Sequence, residues 1–252
     1  MLPTLPKKAI GHTIIQLEQI NSTNSYAIDN IQANLAAHGM VYFAHHQTQG
    51  KGQRGKQWHS EPGSNLILSA VVDTKPLQLI DNFALSAAVA LACHELFNKY
   101  ARHDTFIKWP NDIYWNDRKA GGILIENLVR GNKWQWAIIG IGININQTQF
   151  DALQKAVSLK QITGTTFSVI DLAKELCSIL NTYYQLLLSG HTDALLTAYN
   201  TVLYKQNQLV KLKKQATIFE CRVLQVTKHG RLQVAHPVHD LFDFGEVEWI
   251  IG

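Results

Sequence analysis

The chain has few cysteines, and their positions exclude two kinds of structure. Three occur among 252 residues, at Cys93, Cys177 and Cys221. They lie far apart and form no Cys-x-x-Cys pair, so neither a disulfide framework nor a cysteine-based metal site is expected. No secretory signal sequence is visible at the start of the chain. Both absences favour a protein of the reducing cytoplasm.

Long apolar runs and a strong charge imbalance are also missing. No window contains the eighteen or so consecutive apolar residues that a membrane-spanning helix requires. The chain carries 23 basic and 19 acidic residues, a formal charge of +4, which is too small to predict a nucleic-acid partner. A hydrophobic content of 46% with 17% charged residues is typical of a folded globular protein.

The order of predicted elements indicates an α+β fold that changes character near residue 206. Periodicity and capping signals predict helices between Asn21 and Gly39 and at residues 79–100, 169–189 and 192–204. Strands are predicted at residues 40–44, 66–72, 106–109, 113–115, 122–129 and 134–145. Downstream, short strands separated by turn signals predict a small β-barrel. We therefore expect one domain over residues 1–205 and a second over residues 206–252.

A glycine-rich segment, from Gln47 to Trp58, follows the first of these strands. Its spacing, Gly50-x-Gly52-x-x-Gly55, matches a dinucleotide-binding fingerprint, but that motif requires a helix that begins within the glycines. Ten residues of turn character separate Gly55 from the next predicted strand, which is too few for a helical crossover. The spacing therefore argues against a Rossmann fold.

The cations of the same segment suggest a different ligand. Lys51, Arg54 and Lys56 are interleaved with the glycines. Glycine lets backbone N–H groups approach an anion closely, and the cations supply charge-assisted hydrogen bonds of roughly 1.5–3 kcal/mol each. A polyphosphate fits this composition. A solvated surface loop has the same composition, so the segment alone leaves both interpretations open.

A second block ends a predicted strand and reads Lys108-Trp109-Pro110-Asn111-Asp112. Pro110 biases the residue before it toward an extended conformation, which holds Asn111 and Asp112 on a fixed turn. Asp112 could orient a magnesium–phosphate unit, because magnesium prefers carboxylate and phosphate oxygens. An Asn-Asp pair that merely caps a turn is the alternative.

Two further blocks combine glycines with polar residues. Lys119 precedes Gly121 and Gly122, where the backbone leaves room for a ligand, although a lone lysine there would be read as an edge-strand lysine. In the last block, period-two alternation places four residues on one strand face: Gly140, Gly142, Asn144 and Asn146. Glycines on a strand face indicate close approach by a ligand or by another backbone.

In this order, the four blocks resemble those of a biotin–protein ligase of the monofunctional type, without an N-terminal DNA-binding domain. The resemblance covers roughly residues 20–146 by motif and the remainder by architecture. It implies a mixed sheet with helices, like that of class II aminoacyl-tRNA synthetases and biotin ligases, plus a small C-terminal SH3-like β-barrel. It also implies an ATP-dependent ligase that forms biotinyl-5′-AMP, releases pyrophosphate and transfers biotin to a lysine of a biotin carrier domain.

The resemblance further implies roles for individual residues. Biotin would be bound by Ser22, Thr23, Asn24, Gln47, Gly50, Lys51, Gln53, Lys119, Gly121 and Gly122. ATP would be bound by Lys51, Arg54, Lys56, Trp58, Asn111, Asp112 and Asn144, with Asn144 meeting adenine. Catalysis would involve Lys119, Asp112 and Lys51, and Lys119 would stabilise charge on the biotin carboxylate and the α-phosphate. Any Mg²⁺ would bind through Asp112.

Two alternatives stay open from the sequence. A lipoate or octanoate ligase or acyltransferase of related fold is one, although that group lacks the Lys-Trp-Pro-Asn-Asp block. A non-enzymatic nucleic-acid-binding module is the other, because residues 205–231 hold seven basic residues against Glu220 alone. The expected partner is a biotin carrier domain of a biotin-dependent carboxylase, with no sequence-specific DNA and no membrane. Whether the chain forms a homodimer is left open, as is retention of the adenylate.

Overall fold

The computed structural model describes residues 8–151, 155–238 and 240–250. The strands within these ranges are β1 (Thr13–Ile20), β2 (Met40–Gln47), β3 (Leu66–Asp73), β4 (Thr105–Lys108), β5 (Asp112–Trp115), β6 (Arg118–Arg130), β7 (Lys133–Ile143), β8 (Leu209–Lys214), β9 (Thr217–Val226), β10 (Leu232–Ala235), β11 (Leu241–Phe242) and β12 (Glu248–Ile250). The α-helices are α1 (Thr23–Gln32), α2 (Asn82–Ala101), α3 (Leu159–Thr163), α4 (Val169–Leu188) and α5 (Thr192–Thr201). Residues 1–7 of the first predicted domain and residues 251–252 of the second lie outside the described residues, as do residues 152–154 and 239.

Seven strands form one mixed sheet in the order β1-β2-β3-β7-β6-β5-β4. Only the β1–β2 pair within this sheet is parallel, and the other described neighbours are antiparallel. The glycine-rich segment connects β2 to β3, which pair antiparallel. A Rossmann turn would connect parallel strands through a helix, so the prediction against that fold is confirmed.

Helices cover both faces of this sheet. The central strand β3 is apolar at nearly every position, and all its residues through Val72 are buried, as expected for a strand with both faces covered. On one face, α2 and α4 pack against the sheet in the main hydrophobic core. On the other face, Ala27 of α1 packs with Tyr42, Val71 and Ile138. The second face is covered by α1 over only part of its area, and the remainder carries the cavity described below.

A row of directly paired residues crosses four strands of the sheet: Gly142 on β7, Gly122 on β6, Asp112 on β5 and Lys108 on β4. Directly paired residues lie on the same face of a sheet. A register shift between Ile113 and Tyr114 puts one extra residue into β6. This bulge re-aims the strand, so Lys119 and Gly122 share a face although they are three residues apart. We call the four paired residues the cross-strand row.

The C-terminal strands form a separate antiparallel sheet in the order β11-β10-β9-β8-β12. Among the described residues no pairing joins β11 to β12, so the closed barrel stays a prediction. The sheet packs directly on the rest of the chain. The indole N–H of Trp109 donates to the carbonyl of Gly230 at 2.8 Å, and the Asn200 side chain exchanges two hydrogen bonds with the backbone of Val226. Its buried side chains belong to the main core.

The departures from expectation concern edges and short elements. The sequence did not predict β1, an edge strand whose side chains are largely exposed or half-buried, or the five-residue α3. Helix α1 ends at Gln32 and not near Gly39, which leaves Leu35 exposed. The segment Leu79–Ala101 is long and apolar enough to cross a membrane by composition, but half of that apolar window is buried, as in the core helix of a folded domain.

Candidate active site

A cavity of about 640 Å³ lies over the cross-strand row, a volume typical of small-molecule sites. Most of the residues singled out in the sequence line it: Ser22, Thr23, Asn24, Gln47, Lys51, Gln53, Arg54, Lys56, Trp58, Asn111, Asp112, Lys119 and Gly122. The predicted residues Gly50, Gly121 and Asn144 do not. The fold therefore brings predicted residues from four separate segments of the chain to one cavity.

One end of the cavity is lined by polar groups from α1 and β2. The backbone N–H of Thr23 and its hydroxyl both donate to Oε1 of Gln47, at 2.7 and 3.0 Å. These bonds fix the Gln47 amide and leave its NH₂ group available to a ligand. Ser22 occupies the N-cap position of α1, but its side chain makes no capping hydrogen bond. This end therefore presents donors and acceptors suited to a small polar ring.

A buried serine on β3 supports this polar end, and the sequence interpretation did not single it out. The hydroxyl of Ser69 lies 2.7 Å from Oγ1 of Thr23 and 2.5 Å from Oδ1 of Asn24. The amide of Asn24 in turn donates to Glu126 at 2.7 Å. Ser69 interrupts an apolar strand, and that interruption was the available signal. Gly140 lacks a side chain where a Cβ would collide with the Asn24 amide.

The middle of the cavity has a floor of glycine backbone. A Cβ added to Gly142 would lie 2.6 Å from the indole of Trp58, so the glycine lets that ring lie against the strand. The indole N–H of Trp58 is buried and has no hydrogen-bond partner among the described residues. Buried polar groups normally have partners. This N–H is a candidate donor to a bound ligand.

An ion pair occupies the next position along the row. Nζ of Lys119 lies 2.7 Å from Oδ1 of Asp112 and 6.0 Å from the centre of the Trp58 ring. A Cβ on Gly122 would lie 3.4 Å from both Lys119 Nζ and Asp112 Oδ1, so the absent side chain keeps the space beside the pair open. The pair is partly exposed to the cavity. It presents a cation and an anion to whatever binds beside Gly122.

The three predicted residues that do not line the cavity shape it from behind. The amide of Asn144 donates to the carbonyls of Lys119 and Val157 at 3.3 and 3.1 Å, and β7 ends one residue before it. Gly121 packs against the backbone of Gly142, and Gly50 lets the two arms of its loop approach each other. The geometry thus assigns Asn144 a contact with the Lys119 backbone, and its predicted contact with adenine stays a prediction.

Loop 47–58 and the C-terminal sheet close the cavity from above. Lys51 and Gln57 form a β-bridge, and one 3₁₀ turn, Gln53–Gly55, lies at the loop tip. Arg54 donates from its guanidinium to the carbonyl of Gly245 at 3.0 Å. Five residues after β11 also line the cavity, namely Phe244, Gly245, Val247, Glu248 and Trp249. The loop and the tail therefore meet over the site.

Loop 47–58 is expected to open in the free protein and to become ordered if biotin and ATP, the ligands that the sequence resemblance implies, bind in the cavity. Its central residues are largely exposed and polar, so few apolar contacts oppose local opening. Brief trypsin treatment should cut after Arg54 in the free protein, and addition of biotin with ATP should suppress that cut. Cleavage after the exposed Arg102, at the end of α2, is the internal control and should not change. Equal resistance at Arg54 with and without substrates would show that the loop is a rigid element.

The predicted contact of magnesium with Asp112 stays a prediction. No group of three or more His, Cys, Asp or Glu side chains within the described ranges could hold a metal ion. The predicted ligand, Asp112, has its carboxylate paired with Lys119. Magnesium bound to ATP takes most of its ligands from phosphates and water, so such an ion would enter as part of the substrate.

Known proteins resemble this chain in both sequence and fold. A model of the biotin/lipoate A/B protein ligase family matches residues 16–144. The bifunctional ligase/repressor BirA of Bacillus spizizenii is 35% identical over 165 residues, which are 64% of this chain and 50% of that protein. The biotin–[acetyl-CoA-carboxylase] ligase of Mycobacterium tuberculosis is 30% identical over 145 residues, 56% of this chain and 52% of that protein. This chain thus spans about half the length of these curated relatives.

The overall fold matches solved structures over nearly its full length. Biotin protein ligase from Aquifex aeolicus, solved in complex with biotin and ATP, has a TM-score of 0.75 at 20% identity, covering 96% of this chain and 96% of that one. This similarity confirms the expected α+β, biotin-ligase-like fold class. The family match covers about half of the chain and includes most of the cavity-lining residues. The chain belongs to the biotin/lipoate A/B protein ligase family.

Proposed function

We propose that the chain is an ATP-dependent biotin–protein ligase. It would activate biotin as biotinyl-5′-AMP and then transfer biotin to a lysine of a biotin carrier domain. The observation that carries the proposal is the arrangement of one cavity, in which a polar ring-binding end and the Lys119–Asp112 pair lie along the same face of the sheet. The relatives named above as ligases and the Aquifex aeolicus complex with biotin and ATP support the choice of substrates.

In the first step, a carboxylate oxygen of biotin attacks the α-phosphorus of ATP. A new oxygen–phosphorus bond forms, the bond from that phosphorus to the bridging oxygen breaks, and pyrophosphate leaves. Thr23 and Gln47 would orient the ring so that the carboxylate reaches Gly122. There the ammonium of Lys119 would stabilise negative charge that develops on the carboxylate and phosphate oxygens, because a preorganised cation lowers the energy of such a transition state. The cations Lys51, Arg54 and Lys56 would cover the phosphates.

In the second step, the ε-amine of a carrier lysine attacks the acyl carbon of the adenylate. A carbon–nitrogen bond forms, AMP leaves with the electron pair of the broken carbon–oxygen bond, and the amine loses a proton. The name of the Mycobacterium tuberculosis relative supports a carboxylase carrier domain as the acceptor. The three cysteines, Cys93, Cys177 and Cys221, are free and buried. They suit a reducing compartment, and we place the reaction in the cytoplasm.

Mass spectrometry of a biotin carrier domain tests this function directly. Incubation of the carrier with the protein, biotin and ATP should add one biotinyl group to the acceptor lysine, and omission of ATP should abolish the addition. Lipoate and octanoate are offered in parallel to a lipoyl carrier domain. Transfer of either acid with no transfer of biotin would replace the proposal with the lipoate alternative. Absence of any transfer, with an adenylate-forming relative as positive control, would refute ligase activity toward these acceptors.

The basic residues of segment 205–231 offer little support for the nucleic-acid alternative. Of the seven basic residues in 205–231, four form ion pairs: Lys205 with Asp117, Lys211 with Glu220, Lys214 with Glu246, and Arg231 with Asp243. These pairs reduce the positive charge that a phosphate backbone would meet. The arrangement is that of a solvated surface on a small β-sheet.

A further inference from the structure

Lys108 lies at the far end of the cross-strand row and has no role in the reaction as proposed so far. It is the last residue of β4, it lines the cavity, and it pairs across the sheet with Asp112. Three strand spacings of about 4.8 Å separate it from Gly142, so the two ends of the row are roughly 14 Å apart. Lys119 and Asp112 occupy the middle of this span. Lys108 is therefore the cation most distant from the polar ring-binding end along the row.

Two aromatic rings hold the Lys108 side chain in place. Its Nζ lies 5.0 Å from the centre of the Tyr114 ring and 5.5 Å from that of Trp249. Among the described residues no carboxylate forms an ion pair with it and no oxygen accepts a hydrogen bond from it. Aromatic faces attract a cation but satisfy none of its three N–H donors. The ammonium is thus positioned, half-buried and without an oxygen acceptor.

The surroundings of Lys108 suit an anion. Burial lowers the pKa of Lys108 to about 8, and the nearby cations Lys119 and Lys56 add to this effect while Asp112 opposes it. A bound anion would reverse the shift, because an opposite charge favours the protonated amine. The indole N–H of Trp249, which also lines the cavity, is buried without a partner among the described residues. Two donors at this end of the cavity thus have no described acceptor.

We propose that Lys108 binds the pyrophosphate group of ATP and retains it as the leaving group. This inference rests on the proposed adenylation. In phosphoryl and nucleotidyl transfer the attacking and leaving oxygens lie roughly in line on opposite sides of the phosphorus. A biotin carboxylate that arrives from the Gly142 side therefore directs pyrophosphate toward the opposite end of the row. The cation at that end is Lys108, and its contact with the Trp249 ring links its position to the C-terminal sheet.

The test compares Lys108→Met and Lys108→Arg with the unchanged full-length protein. Loss of one charge-assisted contact to a phosphate predicts a rise of about tenfold or more in the KM for ATP and a similar weakening of inhibition by pyrophosphate. Biotin affinity, measured by calorimetry, should stay within about twofold. Arginine keeps the charge, so Lys108→Arg should recover most of the ATP and pyrophosphate response. Lys205→Met is a matched control, since Lys205 also lies over a tyrosine ring but outside the cavity.

A second readout compares proton uptake in the unchanged protein and in Lys108→Arg. Burial lowers the pKa of Lys108 to about 8, and a bound anion raises it again, so binding of pyrophosphate near pH 8 should take up more protons in the unchanged protein than in Lys108→Arg, whose side chain stays charged. Calorimetry in two buffers of different ionisation enthalpy measures this difference, which cancels the titration of pyrophosphate itself, and equal uptake by the two proteins would contradict the inference. Asp112, Lys119 and Lys56 face the same group and remain in both proteins.

The possible results separate this inference from the proposed function. If the Lys108→Met variant uses ATP and responds to pyrophosphate like the unchanged protein, the inference is overturned. It is also overturned if this variant loses biotin affinity as strongly as it loses the use of ATP. A protein that binds pyrophosphate through Lys108 but transfers no biotin would refute the proposed ligase and leave Lys108 as an anion-binding residue.

Discussion

Replacing Lys119 with alanine is expected to slow the formation of biotinyl-adenylate by about 10²–10³-fold, a loss of roughly 3–4 kcal/mol of transition-state stabilisation. Its ammonium lies beside the bare backbone of Gly122, where the biotin carboxylate and the α-phosphate would meet. Negative charge grows on these oxygens during attack, and alanine supplies nothing to stabilise it. Biotin binding should change much less, because the proposed ring contacts lie at Thr23 and Gln47, which bond to each other. Single-turnover measurement of the adenylate gives the rate.

The ion pair with Asp112 gives the Lys119→Ala substitution a second effect on the rate. Alanine at position 119 also removes the 2.7 Å partner of Asp112, and the exposed carboxylate would then repel the incoming anions. The double variant Lys119→Ala with Asp112→Asn removes this repulsion. If Lys119 acts on the transition state itself, the double variant stays slow. Recovery to near the Asp112→Asn rate would show that the lysine serves mainly to neutralise its neighbour.

A surface lysine provides the matched control for the first prediction. Lys99 is also ion-paired, with Glu175, and lies outside the cavity. Surface pairs of this kind contribute about 0–1 kcal/mol to stability, so Lys99→Ala should leave the adenylation rate unchanged. Activity of Lys119→Ala within threefold of the unchanged protein would remove Lys119 from the mechanism.

The fold class and the principal elements could be predicted because their signals are local. Alternation, capping residues and glycine stops are read from neighbouring positions, and they identified β3, α2 and α4 closely. The edge strand β1 gave a weak signal because few of its side chains are fully buried. The pairing partner of each strand is not a local property. The parallel β1–β2 pair and the strand order therefore became known only from the structure.

The candidate site shows the same division between local and distant information. The motifs identified Lys119, Asp112 and Gly122, but their meeting depends on a bulge in β6 that places Lys119 on the cavity face. No sequence pattern predicted that register shift. Alternation alone placed Asn144 beside Gly142, whereas β7 ends before Asn144 and its amide turns to the backbone. Lys108 was part of a noted motif, but its position depends on Trp249, 141 residues farther along the chain.

The C-terminal sheet should be essential for ATP-dependent activity, with a loss of about 10²-fold or more when it is removed. Small displacements of positioning groups can reduce rates to this extent. Five residues between positions 244 and 249 line the cavity directly. Biotin binding should largely survive removal of residues 206–252, because the proposed ring contacts at Ser22, Thr23 and Gln47 lie far upstream. The structure adds a second consequence, because Leu212, Val223 and other tail residues share one core with the main domain. Truncation should therefore also lower thermal stability.

A point variant tests the contribution of the tail to the ATP site. Trp249→Ala leaves the sheet in place but removes one of the rings over Lys108, so it should raise the KM for ATP while biotin affinity stays nearly unchanged. Because the indole also packs against the main core, thermal stability should fall, but by less than in the truncated protein. Lys213→Ala, on the strand paired with β12 but outside the cavity, is the control. Carrier labelling supplies the rate and calorimetry the biotin affinity. A folded truncated protein with full activity would show that the tail is dispensable. Trp249 is remote in sequence from Thr23 and Gln47, so loss of biotin binding in Trp249→Ala would instead show that the ring-binding end and the tail are coupled.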